Sequence, residues 1–427
     1  MKKLLMLGTS NGTCEMVRYA KSQGIYVIVT DYLEPQKSPA KLIANEYWMI
    51  NTNALDDLEK KCREENVTAV FCGVSGFNIN AAMKLCKRLH FPFYCTPEAL
   101  HFGRNKYDFK KICKKLNAPV AKDYFLTDNF KDEEAKNVIF PVVVKPVDRG
   151  ANLGISFCNN ISELRAAIKI ARSVSDNPKI IIERMLHGEE WFSTYAISNG
   201  IPRFLTLNAM YHEPNYPSAC YCLTTTATSH IEQYIQEINE KIEEVLQAIG
   251  CTNGYAWVQV MRDEIDDKFY IIEMGYRLDG DMLYLPIKDL LGYNVNKAMI
   301  DYACGIDSSK ENPLPEPQKH ALVKCGSGLR LWTKKACTIT KIEGLNEIAK
   351  IPGVNVEMRR NVGDKEDIYR PLGSITFTSE NCNELAKMVD LINRTVHVYD
   401  ENGEDVIIKF TNMDKVKKIY LNGLEGK

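Results

Sequence analysis

Three apolar runs in this chain end in charged or amide side chains whose types suit phosphate and metal chemistry. Val142-Val143-Val144 leads into Lys145, and Asp148-Arg149-Gly150-Ala151-Asn152-Leu153-Gly154 follows. Small residues and two glycines let backbone N–H groups close over phosphate oxygens, and a lysine beside them supplies positive charge. Taken alone, a lysine at a strand end is a solvated edge. Ile180-Ile181-Ile182 leads into Glu183-Arg184-Met185-Leu186, and Glu190 follows beyond Gly188. A backbone hinge beside Glu183 could read the edge of an adenine ring while Glu190 accepts from ribose hydroxyls. Phe269-Tyr270-Ile271-Ile272 leads into Glu273, and the earlier strand Ala256–Val260 carries Gln259. On neighbouring antiparallel strands, Gln259 and Glu273 could converge on one hard cation, which prefers oxygen ligands.

The elements that must hold these residues read as alternating strands and helices. Leu4 to Leu7 is a buried strand, followed by the turn Gly8-Thr9-Ser10-Asn11-Gly12, a helix through Met16 to Ser22, and a second strand from Tyr26 to Thr30. A third strand, Ala69 to Cys72, lies between helices at 54–65 and 78–89, as in a parallel α/β unit. The turn is not GxGxxG, because Ser10 stands where close approach to a pyrophosphate wants glycine. It reads as a tight strand-to-helix turn or as one wall of a substrate cleft, rather than as a nicotinamide or flavin site. A Lys-rich helix spans 105–116, strands surround a helix at 161–173, and a further helix lies near 231–249. Asn312-Pro313-Leu314-Pro315-Glu316-Pro317 reads as an extended linker. Asn402-Gly403 reads as a hairpin turn between Val396–Tyr399 and Val406–Phe410.

Composition excludes several classes. The 427 residues carry a net charge of −1, with 45% hydrophobic and 26% charged side chains, as in an ordinary soluble globular protein. No global field draws such a chain to nucleic acid or to an anionic membrane. The 14 cysteines form no CxxC pair, which argues for reduced thiols in a cytoplasmic setting rather than disulfides or zinc. The apolar start Leu4–Leu7 is too short for a secretory or membrane-spanning segment.

In order and spacing, these motifs resemble the ATP-grasp superfamily, especially its carboxylate–amine ligases and carbamoyl-phosphate-synthetase-like members. The resemblance runs over nearly the whole chain. It implies an α/β and α+β architecture: a Rossmann-like pre-ATP-grasp domain over 1–104, an ATP-grasp domain over 105–310 with a lid at about 120–188, and a small β-rich closing domain over 318–427. It also implies ATP and Mg2+ as cofactors, with Mn2+ as an alternative ion. By resemblance, Lys106 and Lys145 are the phosphate-binding lysines, and Gly150, Asn152 and Gly154 belong to the phosphate loop. Glu183, Arg184, Met185 and Leu186 form the adenine hinge, and Glu190 is the ribose acid. Gln259 and Glu273 are the metal ligands, and Arg277 lies near the transferred phosphoryl group. The family usually reads Glu-x-Asn at the metal strand, whereas this chain reads Glu273-Met274-Gly275. Glycine brings no side-chain oxygen, so a second ion is in question.

The stretch from Gly328-Leu329-Arg330-Leu331-Trp332 to Arg370-Pro371-Leu372-Gly373 resembles the closing domain of L-amino-acid ligases. The implied reaction is ADP-forming ligation of a small carboxylic acid to an amine through an acyl phosphate, by a cytoplasmic enzyme with small-molecule partners and a homodimer as the default assembly. Two alternatives stay open: a bicarbonate-using carboxylase or carbamoyl-type enzyme, and a non-catalytic nucleotide-binding protein. Among the remaining candidates, His212 borders a substrate pocket or is a satisfied core residue. Asp279 and Asp281 bind a substrate amine or sit in a solvated turn. Ser75 is not in a GxSxG context. Lys110, Lys111, Lys114 and Lys115 are expected on a wet helix face.

Overall fold

The computed structural model describes residues 1–422 apart from 11, 128, 129, 132, 150–152, 178, 217, 218, 220, 227 and 228. The chain starts with β1 (Lys3–Leu7), the helix α1 (Thr13–Ser22), β2 (Tyr26–Thr30), β3 (Glu46–Trp48) and β4 (Ala69–Cys72), which pair in parallel in the order β3-β2-β1-β4. Residues Leu4 to Leu7 are fully buried, as expected of a parallel strand covered by helices on both faces. The helix Gly76–Leu89 is capped by Ser75, whose Oγ accepts from the Asn78 amide at 3.4 Å, so this serine closes a helix end.

The segment expected as a lid builds its own small sheet. It comprises β5 (Asp123–Tyr124), β6 (Val142–Pro146), β7 (Ser156–Cys158) and β8 (Ile180–Arg184), all antiparallel, in the order β5-β8-β6-β7. The helix Ile161–Ser173 covers it with Leu164, Ala167, Ile168 and Ala171, which pack with Val142, Val144 and Ile182 into a separate core. Three-residue and four-residue spacing of those helix positions gives one apolar stripe.

The largest sheet has eight strands. β9 (Gly188–Ser198), β10 (Ile201–Tyr211), β11 (Leu223–Thr226), β12 (Gly254–Asp263), β13 (Lys268–Gly275) and β14 (Cys325–Trp332) join the strands Pro371–Ser379 and Asn355–Met358. Their order is β13-β12-β9-β10-β11-β14, then Pro371–Ser379 and Asn355–Met358 at the far edge. The C-terminal segment thus contributes three strands to the sheet that carries the candidate metal residues. The helix expected near 231–249 is present, with a π-helical turn at Ile235–Asn239 between its α-helical ends. At Asn402-Gly403 the chain turns as expected, with Asp400 Oδ1 accepting from the Asn402 and Glu404 amides at 2.9 and 2.8 Å. No helix among the described residues is long and apolar enough to cross a membrane. The described cysteines are all free thiols, and all but Cys14 are buried.

Candidate active site

Two cationic side chains from different elements meet carboxylates at the seam between the small sheet and the large one. Lys106 begins the helix Lys106–Lys115, whose N-terminus is capped by Asn105 Oδ1 accepting from the Tyr107 and Asp108 amides, each at 3.1 Å. Its Nζ lies 2.6 Å from Glu273 Oε2 and donates to the Arg149 carbonyl at 2.8 Å, so it bridges the end of β13 and the segment after β6. Lys145, in β6, is buried and ion-paired with Glu183 of β8. Lys110 Nζ holds the other oxygen of the same carboxylate at 2.6 Å. Burial pushes the Glu183 carboxyl up, but Lys145 and then Lys110 outweigh it and hold the group below its ordinary range.

Lys110 corrects a sequence expectation. It is buried rather than wet, because the turn of helix that carries Lys106 also carries the residue four positions on. That spacing was visible in the sequence, and the buried acid was the part that was not.

Glu273 and Gln259 stand directly opposite each other in the β12–β13 ladder, and the register shifts immediately after Gln259. Such a bulge re-aims side chains at the end of a pair. Gln259 Nε2 donates to Glu190 Oε2 at 3.5 Å. Burial raises the pKa of Glu190, His212 lowers it, Glu273 raises it further and Lys145 lowers it, so all four groups lie within electrostatic reach. Glu190, expected as a ribose acid, is therefore placed beside the candidate metal residues, with His212 near by.

The hinge residues divide in their roles. Arg184 is tied to Asp263 at 2.5 Å and lies over the Tyr270 ring, so its side chain is structural. The amides of Arg184 and Met185 donate to the carbonyls of Lys122 and Pro141, at 2.8 and 3.1 Å, and so are already committed within the fold. Leu186 is buried next to them. Gly150 and Asn152 lie outside the described residues. Gly154 has φ +78°, and a Cβ there would meet Val174 Cγ2 at 2.5 Å, so the turn itself requires glycine.

Arg277 completes the group. Its guanidinium lies 5.1 Å from the centroid of the Trp257 ring and donates to the Leu278 carbonyl at 2.9 Å. Burial lowers its pKa, while Tyr94, Asp279 and Glu273 act in the opposite direction. Lys106, Glu273, Arg277 and Trp257 line one cavity of about 220 Å³ together with Arg149 and Phe109. Gly275 has a steric reason for being glycine, since a Cβ there would sit 2.4 Å from the Trp257 ring carbons. The indole fills the space an asparagine would need. Asp279 and Asp281 are not in a solvated turn. Asp279 accepts from Tyr255 Oη at 2.9 Å and the Leu283 amide at 3.0 Å, and Asp281 is ion-paired with Arg330 and accepts from Tyr221 Oη at 2.7 Å. Burial, and then Asp281, push the Asp279 carboxyl up to about 6.

Several known proteins resemble this chain in sequence or in fold. Residues 118–276 match the family model described as the D-ala D-ala ligase C-terminus. An L-amino acid ligase from Bacillus licheniformis superposes with a TM-score of 0.74 at 18% identity, covering 94% of this chain and 99% of that one. The chain has the ATP-grasp fold. A D-alanine–D-alanine ligase from Prochlorococcus marinus (strain AS9601) is 30% identical over 191 residues, which is 40% of this chain and 52% of the relative. A formate-dependent phosphoribosylglycinamide formyltransferase from Prochlorococcus marinus (strain NATL1A) is 22% identical over 253 residues, 58% of this chain and 65% of the relative. The chain thus spans less than two thirds of either curated relative. The match to that family model ends at Tyr276, one residue short of Arg277. The acidic and basic groups beyond it, including Asp281, Arg330, Glu357 and Arg359, carried no motif by which sequence reasoning could assign them together.

Proposed function

We propose that this chain is an ADP-forming ligase that phosphorylates a small carboxylic acid, an amino acid or a close analogue, and passes the acyl group to an amine. One observation carries this reading: Lys106, Glu273 and Arg277 line a common cavity, with Gln259 paired to Glu273 and Lys145 within electrostatic reach of the neighbouring Glu190. In this reading the triphosphate of ATP lies between Lys106 and Lys145, and the adenine lies against the Glu183–Leu186 hinge, contacting Leu186 and the backbone carbonyls. The division into 1–104, 105–310 and 318–427, with its lid at about 120–188, belongs to the same proposal.

Glu273 and Gln259 fit a divalent ion by donor type, since both offer hard oxygen ligands of the kind Mg2+ takes. Among the described residues, no group of three or more His, Cys, Asp or Glu side chains could hold a metal. The ion's remaining ligands would then be nucleotide oxygens and water, which suits Mg2+, an ion that dehydrates reluctantly. When bound, the ion would supply charge neutralisation between the phosphates. The chain's own residues do the rest. Lys106 exchanges Glu273 for a phosphate oxygen, Lys145 divides its charge between Glu183 and another phosphate, and Arg277 orients the attacking carboxylate in line with the γ-phosphorus. Arg277 then steadies the oxyanion as the amine attacks the acyl carbon and phosphate leaves. An acyl phosphate is wasted by water, so in this reading the small sheet acts as a cover that keeps water from the reaction.

A phosphate-release screen over paired amino acids, short organic acids and bicarbonate, with mass spectrometry of the products, tests the proposal. ADP, phosphate and an amide product are expected from an acid–amine pair. Release stimulated by bicarbonate alone would move the chain to the carboxylases, and nucleotide binding without turnover in any mixture would make it non-catalytic.

A further inference from the structure

Charged and hydroxyl side chains that the proposed reaction leaves unused gather on one face of the large sheet. Neighbouring strands there set Arg330 opposite Ser374 and Ser374 opposite Glu357, so three side chains stand in one row. The adjoining row is Thr224, Gly328 and Thr376. A Cβ on Gly328 would meet Leu283 Cδ2 at 3.3 Å and the Asp281 carbonyl at 3.4 Å, so these rows face the loop that follows Arg277. Arg359 comes two residues after Glu357 and, by strand alternation, belongs to the same side.

Several polar groups on this face lack partners among the described residues. The hydroxyls of Ser374, Thr376 and Thr224 and the Nε of Arg359 are buried without a hydrogen-bond partner among the described residues. Ser374 is 1% exposed and Thr376 and Thr224 are 0% exposed, so bulk water does not satisfy them. Arg330 is matched by its ion pair with Asp281. Arg359 is less well matched. Burial lowers its pKa and the adjacent Arg330 lowers it further, against weaker opposing pulls from Glu357 and Asp281. The Glu357 carboxylate is meanwhile engaged by the Gly12 amide, and burial pushes it up to about 7, so it is a partial counter-ion at best. Unpaired buried donors are costly, and a guanidinium flanked by hydroxyls is complementary to an oxyanion.

We propose that Arg359, with Ser374 and Thr376, receives a second anionic group on the substrate, a carboxylate or a phosphate carried at the end away from the reacting carboxyl. This inference rests on the ligase reading. Arg277 is an electrostatic neighbour of Asp279, Asp279 of Asp281, and Asp281 binds Arg330, so a line of charged groups leads from the reaction centre to Arg359. A substrate with an apolar tail would leave the donors at its far end unmet, whereas an acidic amino acid or a phosphorylated acid would satisfy them.

Calorimetric titration of the full chain saturated with MgADP, which fills the nucleotide site, tests this with glutarate, inorganic phosphate and acetate as probes. Glutarate or phosphate should bind at least tenfold more tightly than acetate. Arg359→Met should weaken the preferred probe at least tenfold, and Ser374→Ala severalfold. Preference for glutarate points to a dicarboxylic substrate, and preference for phosphate to a phosphorylated one. Equal or absent binding of the three probes overturns the inference and leaves the ligase reading standing, as does unchanged affinity in both variants. Failure of MgADP itself to bind overturns both. Ser374→Ala removes one hydroxyl at constant fold, so it decides the matter if Arg359→Met does not fold.

Discussion

Glu183 is 6% exposed and lies between Lys110, at 2.6 Å, and Lys145. Two buried cations on one carboxylate leave a surplus positive charge, and an anionic phosphate would complete the balance. Lys145→Ala removes that surplus and leaves a one-to-one pair, so the stability loss should stay at about 1–2 kcal/mol while turnover falls by about 10²-fold or more. Phosphate release and thermal melting check both halves, and undiminished turnover would remove Lys145 from the site. Lys110→Met should behave differently. It lies on the far oxygen of Glu183, so its loss should raise the KM for ATP by letting Glu183 draw Lys145 away from phosphate, with kcat changing less. A fall in kcat at constant KM would contradict that positioning role.

The hairpin of β12 and β13 shows what a sequence discloses at the scale of elements. Apolar runs ending in Lys145, Glu183 and Glu273 were legible, because a buried strand that stops at a charge is a local pattern. The opposition of Gln259 and Glu273 followed from two strands with a short connection. The tie between Lys110 and Glu183 was not legible, since it joins residues 73 apart that no periodicity relates. Nor was the reason for Gly275, which lies in the Trp257 ring across the ladder. From that contact, Gly275→Asn alone should overpack the hairpin and cost about 1–3 kcal/mol, without adding a metal ligand. Combining it with Trp257→Ala opens the space, and the double variant should recover stability relative to Gly275→Asn. Denaturant melts decide it; equal destabilisation of single and double variants would show that the indole is not the obstacle. Glu273→Gln should displace the Mg2+ dependence of turnover to about tenfold higher concentration, because a neutral oxygen replaces the one carboxylate at the ladder position. An unchanged titration would exclude Glu273 as a ligand.

At the scale of the whole molecule, a carboxylate ties the start of α1, beside the first parallel sheet, to the far edge of the large sheet. Glu357, near the C-terminal edge, accepts from the Gly12 amide at the start of α1, 345 residues earlier in the chain. Tyr284 packs against the same glycine, where a Cβ would collide with its hydroxyl. The contact is buried, and burial, only partly offset by the Gly12 amide and Arg359, raises the Glu357 pKa from 4.5 to about 7. The folded chain therefore holds this proton more tightly than the unfolded chain does. Below about pH 4.5 the group is protonated in both states and costs nothing. Between about 4.5 and 7 the unfolded state ionises first, so the contribution of Glu357 turns against folding as pH rises, and above 7 the penalty is constant. At about 1.4 kcal/mol per unit, the full penalty is about 3–4 kcal/mol. Glu357→Gln keeps an acceptor for the Gly12 amide and has no proton to lose. Its stability relative to the natural chain should therefore rise across that window and level off above it. Urea melts of both proteins at intervals from pH 4.5 to 8 measure this difference directly, and parallel curves would mean that the carboxylate ionises at the junction as freely as it does in water.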